Sequence, residues 1–258
     1  TQLASALALL VYGAGTLAQN LALEEVIVTA QKRVENLQDV PISIIAVSGE
    51  TIDNAAITDL QELTLYIPNV TINNGAGTPN LYIRGIGSGT NSGFEQSVGL
   101  FMDGVYAGRG ALASVPTTMD LERVEFLKGP QGILFGKNTV AGAISIITAK
   151  PADEFEGMVE GLYENEAGEQ QYNVMLTGPL TETLSGRLAA RYDSIDGWWD
   201  NITTGSKGPD QENTYARGSL RWEPADMLEV ITKYEYGDFD RDHRPTVVYQ
   251  SDFQGQQN

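Results

Sequence analysis

The sequence predicts an α+β domain followed by antiparallel, membrane-crossing β-strands, and three observations carry that expectation. Before Pro151, short β-type runs, helical signals and glycine-rich stretches follow one another. After it, apolar and polar residues alternate with period two over segments of about ten residues, the length at which a tilted strand crosses a bilayer. The charge shifts at the same point. Residues 24–150 hold 8 Lys/Arg against 13 Asp/Glu, a net of −5, while residues 151–258 hold 8 against 21, a net of −13.

At the amino terminus, Leu3 to Val11 (LASALALLV) is an apolar run followed by small residues up to Ala18. It is shorter than the ~18 apolar residues a spanning helix needs, and reads as a secretory signal cleaved before Gln19. The chain begins at Thr1 without the basic segment such signals carry, so the expectation is a signal clipped at its start. The absence of Cys excludes disulfide staples and thiol metal sites. A net charge of −18 with one His argues against a nucleic-acid partner.

In the first region, β-type runs fall at Ile42 to Val47, Asn69 to Ile72, Leu81 to Arg84, Gly99 to Met102, Arg123 to Leu127 and Ala143 to Thr148. Between the first two, Thr58 and Gln61 fit a capping box before the Leu60, Leu63 stripe, and Pro68 stops the helix. Gly75 to Asn80 (GAGTPN) and Gly87 to Gly93 (GSGTNSG) read as loops able to move or to bind. About 110 residues suffice for such a domain to bury its own core.

Five alternating segments follow. Val159, Gly161 and Tyr163 share one face of the first, and Tyr172, Val174 and Leu176 one face of the second. In the third, Leu184, Gly186, Leu188, Ala190 and Tyr192 alternate with Ser185, Arg187, Ala189, Arg191 and Asp193. In the fourth, Ala216, Gly218, Leu220 and Trp222 oppose Tyr215, Arg217, Ser219 and Arg221. In the fifth, Leu228, Val230, Thr232, Tyr234 and Tyr236 oppose Glu229, Ile231, Lys233 and Glu235. Short connections (Gly178 to Thr183, Glu223 to Met227) and a long one (Ser194 to Asn213) take turns, as in outer-membrane barrels. This threading sets Tyr163, Tyr172, Tyr192 and Tyr236 at the outer ends of the lipid face and Trp222 at an inner end, a double aromatic girdle. A soluble β-sandwich would also alternate.

The order of segments resembles one family. LERVEFLKGPQGILFGKNTVAGAISIITAK at Leu121 to Lys150 resembles the end of the plug domain of TonB-dependent outer-membrane receptors, LQDVPISI at Leu37 its opening, LYIRGIG at Leu81 its centre, and GLFMDGVYAGR at Gly99 the strand and loop that follow. EEVIVTA at Glu24 to Ala30 looks like a TonB box, and β-favouring residues there suit an extended segment that a partner strand can join. The resemblance implies a signal at 1–18, a periplasmic tether with the box at 19–36, a plug at 37–150 and, from 151 to 258, about the first five strands of a 22-stranded barrel. Five strands leave an edge that lipid cannot satisfy, so the expectation is a fragment, not by itself a working transporter. Little room separates the expected cleavage point from the box, which argues against the signalling subclass with its additional N-terminal domain.

For the site, the resemblance implies that TonB grips Glu25, Val26, Ile27, Val28, Thr29 and Ala30. It further implies that Arg84 and Lys128 latch the plug to acidic side chains on the barrel wall. Lys128 replaces the more common Arg, which removes a bidentate pair. Outward plug loops make Phe94, Tyr106 and Arg109 the ligand-contact candidates, two aromatics and a cation suited to an aromatic or anionic chelate. The implied activity is import of a scarce solute, ferric siderophore first, with carbohydrate or cobalamin as alternatives. The implied partners are TonB, outer-membrane lipid and the solute; no cofactor is implied. A secreted β-rich surface-binding protein is the reading from another class.

Enzyme motifs fail on inspection. GPQGILFGKN at Gly129 to Asn138 lacks the glycine spacing and the Ser or Thr of a phosphate-binding loop and reads as a turn. The glycines at 85, 87 and 89 precede no amphipathic helix. His243 has no second His or Cys as a co-ligand and reads as a solvated loop residue.

Overall fold

The computed structural model describes residues 27–28, 35–36, 42–74, 79–89, 95–108, 118–166, 168–197, 199–200, 207–208, 210–225 and 227–241. The expected signal at 1–18 and His243 lie outside the described residues. In chain order the elements are β1 (Ile27–Val28), β2 (Glu35–Asn36), β3 (Ser43–Ser48), α1 (Gly49–Asn54), α2 (Leu60–Leu65), β4 (Val70–Asn74), β5 (Pro79–Ile83), β6 (Ile86–Gly87), β7 (Val98–Met102), β8 (Val105–Ala107), β9 (Leu121–Lys128), α3 (Gly132–Phe135) and β10 (Gly142–Thr148). Then come β11 (Glu156–Tyr163), β12 (Gln170–Thr181), β13 (Leu184–Ile195), β14 (Trp199–Asp200), β15 (Lys207–Gly208), β16 (Gln211–Ala225) and β17 (Leu228–Arg241).

The α+β domain is built on a five-stranded sheet in the order β3-β9-β10-β7-β8. β7 and β10 run parallel and the other pairs antiparallel. One face of the sheet presents Val124, Phe126, Leu100, Ile144 and Ile146 to Ile52 of α1, Leu60 and Leu63 of α2, and Val70 and Ile83 of a three-stranded sheet β4-β5-β6. The other face gathers Phe101, Leu127 and Ala143 with Ile42, Ile44 and Phe135. Each such large side chain contributes roughly 1.5–3 kcal/mol on burial, so this domain carries its own core.

Local chemistry sets the ends of its elements. Ser48 caps α1 by accepting from the Thr51 amide. The α1 backbone lies so close to β9 that a Cβ on Gly49 would sit 1.9 Å from the Leu121 carbonyl oxygen. In α2 the expected capping box is displaced by one residue. Asp59, not Thr58, is the cap and accepts from the Glu62 amide at 2.7 Å, while the Glu62 carboxylate accepts from the Thr58 amide at 2.8 Å. Asp is at least as good a cap as Thr, and Glu62 stands at the third helical position, where its side chain can reach back. Asp103-Gly104 joins β7 to β8 with φ of 48° and 82°, the two left-handed residues of a tight hairpin turn. Arg84-Gly85 does the same between β5 and β6, at φ 53° and 79°, so Arg84 lies in the turn and not in the expected strand. The segment read as a turn at Gly129 to Asn138 contains the one-turn helix α3.

The remaining strands form an antiparallel meander, β11-β12-β13-β16-β17, with β11 and β17 at its edges. It is not closed. The two short connections, 182–183 and 226–227, are shorter than the sequence reading because β12 and β16 run on through Pro179 and Pro224. The ladder shifts register at both places, an irregularity that tolerates a residue without an N–H.

The meander is inverted relative to a soluble sheet. Its polar face is the buried one: Thr177, Ser185, Arg191, Asn213, Arg217 and Ser219 are all under a tenth exposed. Val174, Leu176, Leu188, Leu220 and Trp222 are exposed on the opposite face. The girdle residues follow the threading. Tyr163, Tyr172 and Tyr236 are exposed, Tyr172 stacks on Tyr192 at 6.4 Å, and Trp222 sits beside the 226–227 connection.

Candidate functional site

Lys150 leads from β10 into the meander and approaches Glu229, near the start of β17, at 3.4 Å; Arg221 pairs with Asp153. The short connections therefore lie at the end where β10 finishes. The first residues of β7 and β10 point the other way, toward the end where connections 164–169 and 196–210 lie.

At that far end a polar cluster closes around Tyr106. Its hydroxyl accepts from Asn138 Nδ2 at 2.9 Å and donates to Gln96 Oε1 at 3.2 Å. Asn138 Nδ2 also donates to Glu95 Oε2 at 2.9 Å, and Lys137 stands 3.5 Å from Glu95. The Tyr106 ring meets Phe101 edge-on at 5.7 Å, and Phe101 meets Phe135 at 4.8 Å. Asn138, buried and at φ 69°, ties Tyr106 of β8 to Glu95 ahead of β7. The result is a fixed phenol flanked by one carboxylate and one ammonium, a face able to stack on an aromatic group and hydrogen-bond to it. Of the three expected ligand contacts, Tyr106 is here; Phe94 and Arg109 lie outside the described residues.

A second cluster joins the α+β domain to the meander. Arg187 of β13 grips Asp120 through Nη2 at 2.5 Å and Nε at 2.9 Å. Arg217 of β16, 1% exposed, donates from Nη1 to the Met119 and Asp120 carbonyls at 3.2 and 3.3 Å, from Nε to Glu235 at 2.7 Å and from Nη2 to the Tyr215 hydroxyl at 3.1 Å. Lys233 of β17 donates to Asp103 at 2.7 Å and to Thr148, whose own amide and hydroxyl bond Asp103. The sequence reading placed Arg187, Tyr215, Arg217, Lys233 and Glu235 on the polar faces of their strands but gave none of these residues a role. The signal available was the run of Arg and Lys on the polar faces of the third to fifth segments, which the alternation aims inward.

Beside this seam lies a cavity of about 430 Å³ between α1 and β11 to β13, lined among others by Asp53, Asp120, Glu160, Asn173 and Arg187. Asp53 opens onto it. Desolvation by the surrounding atoms pushes its carboxyl up to about 6, Glu160 and Asp120 add to the rise, and Arg187 opposes it.

The expected latch residues sit elsewhere. Lys128 is buried and donates to the Pro68 carbonyl at 2.7 Å. Burial and the neighbouring Arg84 both hold its ammonium below the usual range. Among the described residues no carboxylate pairs with either cation. Of the expected TonB box, Ile27 and Val28 are extended and pair antiparallel with Asn36 and Glu35. Glu25, Val26, Thr29 and Ala30 lie outside the described residues.

A family model for the TonB-dependent receptor plug domain matches residues 36–143. The iron-regulated outer membrane virulence protein of Vibrio cholerae is 32% identical over 174 residues, 63% of this chain and 26% of that protein. The chain is similar to TonB-dependent outer-membrane receptors, and its residues 36–143 match their plug domain. Its α+β domain is the plug, and its meander corresponds to barrel strands. The ferric yersiniabactin uptake receptor FyuA from Yersinia pestis shares this fold with a TM-score of 0.69 at 26% identity, over 76% of this chain and 31% of that one. The vitamin B12 transporter BtuB of Vibrio vulnificus is 25% identical over 235 residues, 83% of this chain and 36% of that protein. The chain spans about a quarter of the length of its Vibrio cholerae relative.

Proposed function

We propose that this chain is the plug and first barrel strands of a receptor that imports ferric siderophore across the outer membrane, driven by TonB. The observation that carries the reading is the inverted meander: an apolar face turned outward and a polar face packed on a plug suit a lipid-embedded wall around a filled lumen. A filled lumen needs energy to open, and the segment Glu25 to Ala30 offers TonB a strand to join by main-chain hydrogen bonds. Arg84 and Lys128, two neighbouring cations, suit acidic partners on the rest of the wall. Tyr106 is the solute-facing candidate among the described residues, and the Glu95–Asn138–Gln96 set keeps its phenol in place; Phe94 and Arg109 remain candidates from the sequence. Iron is the first choice because the Vibrio cholerae relative is named as iron-regulated and the Yersinia pestis structure as a ferric yersiniabactin receptor. Cobalamin is the second reading, favoured by the likeness to the vitamin B12 transporter.

The test is energised uptake of radioiron from a panel of siderophores, with labelled cobalamin in parallel, in cells making the full-length protein with the native box or Ile27→Pro. The substitution removes a backbone donor and disrupts strand pairing. Iron uptake that the substitution abolishes supports the reading. Cobalamin uptake alone replaces the solute, and iron uptake indifferent to the substitution removes the TonB assignment.

A further inference from the structure

We propose that Asp120 and Arg187 form the separable lock between plug and barrel, with Arg217 as the fixed dock to which the plug returns. The inference rests on the reading that this plug moves during import.

The contacts of the seam differ in what separation leaves behind. Arg217 carries its neutralising partner within the wall: Glu235 of the next strand holds Nε, and the Tyr215 ring lies 5.5 Å from the guanidinium. The plug supplies only the carbonyls of Met119 and Asp120. When the plug leaves, the Arg217 charge stays paired, and the site that receives those carbonyls keeps its shape. Arg187 and Asp120 are different. Each side brings one charge, and the side chains are 11% and 6% exposed. Parting them strands two opposite charges, the costliest event a buried pair can undergo. The other pairs across the seam are more open: Lys233–Asp103 at 22% and 27%, Lys150–Glu229 at 48% and 40%, and Arg221–Asp153 with the carboxylate 78% exposed. The exposed ones, Lys150–Glu229 and Arg221–Asp153, hold weakly, and Lys233–Asp103 is intermediate.

Two further features fit a lock. Asp120 adopts φ 53° outside any tight hairpin turn, a backbone held in a sparsely populated region, of the kind found where a side chain must be aimed. Its carbonyl accepts from the Ala149 amide as well as from Arg217, so the aspartate is fixed to the last strand of the plug. The cavity beside the pair has the room and the polar lining to admit water, which can solvate both charges as they part. The lock thus holds in the closed state and can be wetted during opening.

Conductance of the purified full-length protein in planar bilayers tests this without TonB or any solute, so a failure here is distinct from a failure of the import reading. Wild type is expected to stay closed. Asp120→Asn, which keeps the left-handed preference, and Arg187→Gln are each expected to raise open-state conductance events by at least about tenfold, the scale of coupling between contacting charges. The reversed pair, Asp120→Arg with Arg187→Asp, is expected to bring the events back toward wild type. Single variants that stay closed overturn the proposal. So does a reversed pair as leaky as the singles, or a failure of either single variant to form the heat-modifiable barrel, since those outcomes assign the pair to folding and not to closure.

Discussion

The plug sheet and the barrel strands differ in what they bury: the plug's central strands are buried on both faces, the meander's chiefly on its polar one. In the plug, Val124, Phe126, Ile144 and Ile146 turn inward, and Arg123, Glu125 and Lys128 are buried as well. In the meander, Arg191, Asn213, Arg217 and Ser219 turn inward and Leu188, Leu220 and Trp222 outward. On the proposed reading one region faces water and the other lipid, and they meet where the wall's cations meet the plug's carboxylates. Period two in a sequence therefore identifies a strand but does not say which face is buried; the neighbour does.

The sharpest break in that comparison is a core truncation in the plug. Phe126→Ala, at a fully buried position, is expected to destabilise by about 3–5 kcal/mol, read as a loss of plug protection in hydrogen exchange. Leu188→Arg on the outward face of β13 is expected to cost about 2–4 kcal/mol in lipid if it lies near the midplane, measured as unfolding free energy in vesicles. The same change on a water-facing sheet would be nearly silent. The smallest effect concerns Asp53. Its carboxyl sits at about 6 against an ordinary 3.8, so the native state holds the proton more tightly than the unfolded chain. Stability from this group is full below about 3.8 and is lost as pH rises through about 6. Asp53→Asn is expected to flatten the melting temperature over that window, while a wild type without such a slope would deny that Asp53 is desolvated in the fold.

Much of the fold was legible because its signals are local. The strands Ser43–Ser48, Val98–Met102 and Gly142–Thr148 follow their apolar runs, and the outward faces of the meander follow strict alternation. The α2 cap was misplaced by one residue because Thr58 and Asp59 are both good caps, and only the position of Glu62 decides between them. The strand ends at Pro179 and Pro224 were cut short because proline reads as a stop, while the ladder accommodates it by shifting register. Of the seam, the sequence showed only the inward-aimed cations of the meander, not their partners in the plug. Asp120 and Arg187 are 67 residues apart, and the Arg217 contact with Met119 spans 98, separations that carry no local pattern. Tyr106 was proposed from the resemblance alone; its partner Asn138 was noticed only as a residue that spoils a phosphate loop.

The central claim is that the meander's apolar face meets lipid while its polar face meets the plug. Spin labels on Leu188→Cys, Leu220→Cys, Ser185→Cys and Ser219→Cys of the full-length protein in lipid vesicles test it directly. Labels at 188 and 220 are expected to collide with oxygen and not with a water-soluble nickel chelate, and labels at 185 and 219 with neither. Strong nickel collisions at 188 and 220 would mean that this face is wet, and would contradict the account.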